Sequence, residues 1–137
     1  MGKISGPLLD RIDICTEVSP VEYKKLERVE EVESSETIKK RVDNARKIQN
    51  DRYKENKIFS NAELTPKLIE KYCKLNSRSK EILEKAFNSL NLSARAYGRI
   101  LKVARTIADL DRSENINENH IAEAIQYRSI DKKYWGN

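Results

Sequence analysis

Leu92-Ser93-Ala94-Arg95-Ala96-Tyr97-Gly98-Arg99-Ile100-Leu101-Lys102-Val103-Ala104-Arg105-Thr106-Ile107-Ala108-Asp109-Leu110 is the strongest helical stretch in this chain of 137 residues. Apolar residues recur at Tyr97, Ile100, Leu101, Ala104, Ile107, Ala108 and Leu110, the three-and-four spacing of a stripe packed into a core. Ser93 reads as the N-cap, with Leu92 at N′ spaced to close over Tyr97 at N4 as a hydrophobic staple. Arg95 does not belong to the stripe. It falls in the first turn, where the macrodipole disfavours a cation, so helix stability alone gives a poor reason for it. A helix N-terminus that also carries an arginine is a place for a phosphate.

Shorter helices are predicted around this one. On the C-terminal side a polar turn, Asp111 to Asn115, leads to Asn117 as a second N-cap, with Ile116 and Ile121 as its staple and Ile121, Ala124, Ile125 and Arg128 on the inner face. Tyr134 and Trp135 then read as a hydrophobic latch folded back from the tail. On the N-terminal side, Thr65-Pro66 opens a short helix with Leu68, Ile69, Tyr72 and Cys73 inward, and Asn76 or Ser77 opens another with Ile82, Leu83, Ala86, Phe87 and Leu90. Four capped helices from Pro66 to Arg128 make a small bundle. Before them, Ser34 or Ser35 caps a long helix to about Glu55, whose narrow stripe of Ile38, Val42, Ala45, Ile48 or Gln49, and Arg52 or Tyr53 leans on its neighbours through one seam.

The first residues have a different period. Ile12, Ile14, Thr16 and Val18 alternate with more polar positions, which predicts a β-strand, and no sister strand follows anywhere. A lone strand cannot satisfy its own backbone. The expectation is therefore that the chain is the C-terminal piece of a longer protein, and that this strand is disordered, folded back on the bundle or paired with another copy. Val21 to Leu26 reads as a helical turn after Pro20, and the acidic run from Glu27 to Glu33 as a loop or frayed helix.

Composition narrows the function classes. Four glycines and three prolines are too few turn formers for a β-sandwich or barrel, so the fold is mainly α. A net charge of +5 permits contact with phosphate and equally serves solubility, with Lys and Arg dominating from Lys39 to Arg105. Cys15 and Cys73 lie far apart, form no CxxC pair and cannot complete a zinc site with the single His120, so both read as buried apolar groups in a reducing, cytoplasmic setting. No apolar run approaches membrane-spanning length. The sequence contains no GxxxxGK[ST] phosphate loop and no set of residues for nucleophilic catalysis, and His120, in a first helical turn, reads as structural; the chain on its own is not expected to be an enzyme.

Two motifs together carry a resemblance. Leu8-Leu9-Asp10-Arg11-Ile12-Asp13 is similar to the LLDRFD-type segment before the last core strand of AAA+ ATPases in the magnesium chelatase and replicative-helicase branch. Ser93-Ala94-Arg95 resembles the sensor 2 motif of their helical lid, and the fuller strings, Ser5 to Ile14, Ser93 to Leu110 and His120 to Arg128, resemble the C-terminal part of magnesium chelatase-like AAA+ ATPases of the ComM/YifB family. That resemblance implies three parts: residues 1–19 as the end of the AAA+ core with one orphan strand, 20–60 as a linker and long pre-sensor 2 helix, and 61–137 as the helical lid. It also implies roles. Arg11 is the arginine finger acting in trans on ATP of the neighbouring subunit, Asp10 lies beside it at the interface, and Arg95 is sensor 2, reaching the γ-phosphate of ATP in its own subunit. A forked guanidinium suits charge developing on phosphoryl oxygens better than lysine does.

The partners implied are the rest of the AAA+ core, neighbouring subunits of a homo-oligomeric, hexameric ring, and DNA, on which the parent ATPase drives branch migration in recombination and natural transformation. ATP, with Mg in the parent core, is the cofactor, and this fragment alone is not expected to hold it tightly. Neither a metal site within the chain nor a membrane partner is expected. Two alternatives stand beside this reading. One keeps the motor and changes its work to metal insertion into a tetrapyrrole. The other is an autonomous DNA-binding helical module using Lys39, Lys40, Arg46, Lys47, Arg99, Lys102 and Arg105.

Overall fold

The computed structural model describes residues 5–27 and 31–135, with the backbone alone for 130–135. Seven α-helices follow in order among them: α1 (Gly6–Leu9), α2 (Tyr23–Leu26), α3 (Ser35–Arg52), α4 (Pro66–Tyr72), α5 (Ser77–Ser89), α6 (Ala94–Leu110) and α7 (Glu118–Trp135), with 3-10 turns at Lys54–Asn56 and Asn61–Glu63. Helix α6 is the centre, packed against α3, α4, α7 and the turn at Asn61, while α5 lies on α7. The core is Leu83, Ile100, Leu101, Val103, Ala104, Ala108, Ile116, Ile121 and Ala124, joined by Tyr53, Leu64 and Cys73. The mainly helical bundle is as the apolar spacing predicts.

Helix ends are set by local chemistry. Ser34, Asn76 and Ser93 each accept a hydrogen bond from a backbone N–H in the first turn of α3, α5 and α6. Helices α5 and α6 both stop by placing a non-glycine residue in the left-handed region, Asn91 at φ 47° and Arg112 at φ 56°. In each case the residue after the left-handed one bonds back five positions, Leu92 N–H to Phe87 O at 3.0 Å and Ser113 N–H to Ala108 O at 2.8 Å. The start of α7 uses its histidine in the same spirit. Asn117 Oδ1 accepts from the His120 N–H at 3.2 Å, and His120 Nδ1 accepts from the Asn117 N–H at 3.1 Å, a reciprocal capping box with an imidazole in place of the usual carboxylate or amide. Because Nδ1 is an acceptor there, the proton sits on Nε2, which donates to Asp111 Oδ2 at 3.0 Å. His120 is structural, as its position in the sequence predicts.

A buried polar network fastens α3 to α6. Asp109 is 1% exposed and accepts from Arg52 through both nitrogens of the fork, Nη2 to Oδ1 and Nη1 to Oδ2, the latter at 3.0 Å. Its Oδ1 also accepts from Arg105 Nε at 3.2 Å, and its Oδ2 from Asn61 Nδ2 at 2.9 Å. Asn61 in turn accepts from the Tyr53 hydroxyl at 2.6 Å, and its backbone N–H donates to Gln49 Oε1 at 2.9 Å. Burial pulls the Arg52 guanidinium pKa down, but the hydrogen bonds to Asp109 and Tyr53 outweigh it and hold the group charged. Arg105 uses its remaining donors on the carbonyls of Glu114 and Ser113, at 2.9 and 2.8 Å, just beyond the turn that ends α6.

Three expectations need correcting. Residues 12–18 form no strand; with no neighbouring edge to pair with, the segment is irregular, folded back on α7 at one end and exposed from Thr16 onward. Helix α7 runs straight on to Trp135, so the backbone of the tail does not fold back, and the side chains of Tyr134 and Trp135 lie outside the described residues. Cys15 is only half-buried, unlike Cys73. Arg28 to Glu30 of the acidic run also lie outside the described residues.

Replacing Asp109 by Ala leaves buried Arg105 and part-buried Arg52 without their carboxylate and is expected to cost about 3–5 kcal/mol in urea unfolding; a loss within error of zero would show that α3 is held by packing alone. His120→Ala should lose about 1–2 kcal/mol, as capping residues do, and His120→Gln, which keeps an acceptor at N3, should lose less.

Candidate phosphate-facing site

Arg95 stands in the first turn of α6, exposed, with no hydrogen bond or ion pair to any described residue. Ser93 satisfies the Ala96 N–H, which leaves the N–H groups of Ala94 and Arg95 among the open donors of this end. An exposed, unpaired arginine in the first turn of a helix adds its charge to the open donors of that end, an arrangement that suits an anionic group. Beside it, Leu75, Leu83, Phe87 and Tyr97 line a pocket of 450 Å³ between α5 and α6, with the Phe87 and Tyr97 rings edge to face at 6.2 Å. Tyr97, expected inside, is 43% exposed at the rim of this pocket.

Arg11 is exposed and likewise unpaired among the described residues. It follows α1, a single turn of four residues begun by Pro7 in its first positions. So short a helix cannot hold itself. It is held from outside: Leu9 is buried, and Arg128 of α7 donates to the carbonyls of Leu9, at 3.1 Å, and Ile12, and to Asp10 Oδ1 at 3.2 Å. Farther along, Arg99 pairs with Asp13, and the Cys15 N–H donates to Tyr127 O at 3.1 Å. Asp10 therefore faces its own chain. Its Oδ2 also accepts from Ser93 Oγ at 3.4 Å, which sets the segment bearing Arg11 against the end of α6 that carries Arg95.

The basic surface read from the sequence is largely committed elsewhere. Arg105 is 3% exposed and bound to Asp109, Lys102 Nζ donates to Ala62 O at 2.9 Å, and Arg99 is paired with Asp13. On α3, Lys39 pairs with Asp43 and Lys40 with Glu36. Of that set, Arg46 and Lys47 are exposed with no ion pair among the described residues, and the pairs of Lys39 and Lys40 lie on the open surface of α3. A groove of 970 Å³ runs between α3, α6 and α7, past Ile38, Val42, Arg99, Leu110 and Tyr127. Among the described residues no helix is long and apolar enough to cross a membrane, and no group of His, Cys, Asp or Glu could hold a metal ion.

Cys73 is packing rather than chemistry. Burial pushes its thiol up to about 11, and Tyr53 is raised for the same reason. Groups with raised folded-state values hold their protons longer in the folded chain, so their stabilisation is complete below the unfolded value and is lost as pH rises through the folded one. Stability is expected to fall between about pH 9 and 11, less so in Cys73→Ala, as read by urea midpoints, and a thiol reagent at pH 8 should modify Cys73 only on unfolding.

Residues 32–128 match the family described as magnesium chelatase, subunit ChlI C-terminal. The competence protein ComM of Haemophilus influenzae is 44% identical over 131 residues, 95% of this chain and 25% of that protein. YifB of Escherichia coli, uncharacterised, is 44% identical over 133 residues, 96% of this chain and 26% of its own length. An uncharacterised protein of Mycobacterium tuberculosis is 29% identical over 128 residues, 93% of this chain and 25% of its own. The chain thus spans about a quarter of the length of the curated relatives it matches. With the family's match reaching from before α3 to Arg128 on α7, and so across the whole of the bundle that carries Arg95, the chain belongs to the magnesium chelatase ChlI C-terminal family.

Proposed function

We propose that this chain is the lid and sensor 2 region of a AAA+ ATPase of the ComM/YifB type, one that couples ATP hydrolysis to branch migration of DNA. The observation that carries the reading is that Arg11 and Arg95, the arginines of the two motifs, are both exposed and unpaired among the described residues, as Arg46, Arg78 and Arg112 also are, while Arg52, Arg99, Arg105 and Arg128 are bound. An arginine left free on a fixed frame suits an anion that arrives from elsewhere. Arg95 meets the γ-phosphate held by its own subunit, where the open N–H groups of α6 add to its field. Arg11, on the turn that Arg128 clamps, meets the nucleotide of the next subunit in a ring. ATP supplies the transferable phosphoryl group and its Mg the neutralising charge; both belong to the core. DNA, rather than a tetrapyrrole, is the substrate favoured by the likeness to a protein named for competence.

The test is ATP turnover by the full-length protein with and without four-way junction DNA. Junctions should stimulate the wild type. Arg11→Ala should lower kcat by roughly 10³-fold, the lower range for an arginine finger, and Arg95→Ala by roughly 10-fold or more, the worth of a hydrogen bond to a charged group. Turnover indifferent to both substitutions would refute the reading, and turnover that needs the arginines but ignores DNA would refute its substrate.

A further inference from the structure

Arg128 is closed off from solvent and spends its donors inside the chain. It is 4% exposed, near the C-terminal end of the family match, and its three described hydrogen bonds reach back 116 to 119 residues along the chain. The atoms it grips bracket Arg11. Leu9 O lies two residues before it, the Asp10 carboxylate one before, and Ile12 O one after. Within the turn itself the Arg11 N–H bonds Leu8 O and the Ile12 N–H bonds Leu9 O, both at 3.0 Å, a single turn too short to persist unaided. The carboxylate that Arg128 holds is also the one that accepts from Ser93, the cap of the helix bearing Arg95.

We propose that Arg128 is the positioning residue for Arg11: it clamps the Leu9–Ile12 turn to α7 so that the finger's backbone is fixed, and through Asp10 it ties that turn to the N-terminus of α6. The role needs a planar fork. Nη1 meets both carbonyls and Nη2 the Asp10 carboxylate, so two nitrogens of one rigid plane share the three acceptors, whereas a lysine would have to reach all three from a single atom on a shorter stem. A displacement of the Arg95 end of α6 then moves Asp10, and with it the turn that aims Arg11, so the lid's response to its own nucleotide is passed to the finger that faces the neighbour's. The inference rests on the finger reading of Arg11.

Two measurements test it. In this chain, Arg128→Lys should speed amide exchange at Arg11, Ile12 and Cys15 at least tenfold while α6 keeps its protection. Asp10→Asn, a part-exposed change that leaves the core intact, should do the same to a smaller degree. In the full-length protein Arg128→Lys should lower kcat about tenfold with KM within twofold, and in an Arg11→Ala background it should lower it no further, because both changes remove one unit. Unchanged exchange at the turn in both variants would overturn the clamp. A loss of turnover that multiplies with Arg11→Ala would overturn the coupling. Full turnover in Arg11→Ala alone would overturn the coupling by refuting the finger reading, and the exchange result identifies that case because the turn still loosens.

Discussion

One buried carboxylate governs how this molecule is put together. Asp109 lies in the last turn of α6 with no access to water, and an unpaired charge there would cost several kcal/mol. It is tolerable because Arg52, Arg105 and Asn61 converge on it, and each comes from a different part of the chain: the end of α3, the preceding turn of α6 and the connector between α3 and α4. The demand runs outward from there. Arg105 must also satisfy its other nitrogens, and it does so on Ser113 and Glu114, whose carbonyls are presented by the left-handed turn at Arg112. Asn61 must satisfy its amide oxygen and backbone, and it recruits Tyr53 and Gln49. Charge satisfaction at one point therefore fixes the end of α3, the connector and the exit of α6 together.

The same interaction explains what sequence alone could and could not reveal. Period and capping residues are local, and they located α3 to α7, the cap at Ser93, and two caps to within one residue, which the structure resolves as Ser34 over Ser35 and Asn76 over Ser77. Arg105 shows where locality fails. At the middle of a helix among basic neighbours it reads as a phosphate contact, yet its partner at i+4, Asp109, was visible and marks an ion pair whose burial depends on Arg52 arriving from 57 residues away. Arg128 is the reverse case: an arginine on an apolar face signals a buried partner, but nothing near it names Leu9, Asp10 and Ile12. Arg95 stands out in the sequence for a physical reason, whereas Arg11 is singled out by the family resemblance. Arg95 sits where helix electrostatics and packing give it nothing to do, and such a residue stands out against a pattern that accounts for its neighbours. The strand from Ile12 to Val18 was misread because alternation states a capacity for pairing, and pairing requires an edge.

The two ends of the fold differ in how firmly they are tied. At the α3 to α6 junction the contacts are charged, buried and reciprocal. At the α1 segment they are a handful of hydrogen bonds from α7 and α6 to an otherwise exposed stretch, so its geometry is borrowed from the bundle. Local opening there is expected long before the core yields, which is the usual distribution of stability around segments that meet other bodies.

Helix α3 is held along its C-terminal half, from buried Ala45 to Tyr53. Gln49, Arg52 and Tyr53 are gripped, while Ile38 and Val42, each 44% exposed, face the groove beside α6 and α7 without being enclosed by it. Eighteen residues make a rod of about 27 Å. The ten residues ahead of Ala45 make an arm of about 15 Å, and pivoting it by about 10° sweeps its tip through roughly 3 Å, while the atoms around Asp109 shift by only a fraction of that. A rod fixed in this way magnifies small rotations at the bundle into large displacements at its tip, and the groove beside it is the space into which that tip can swing.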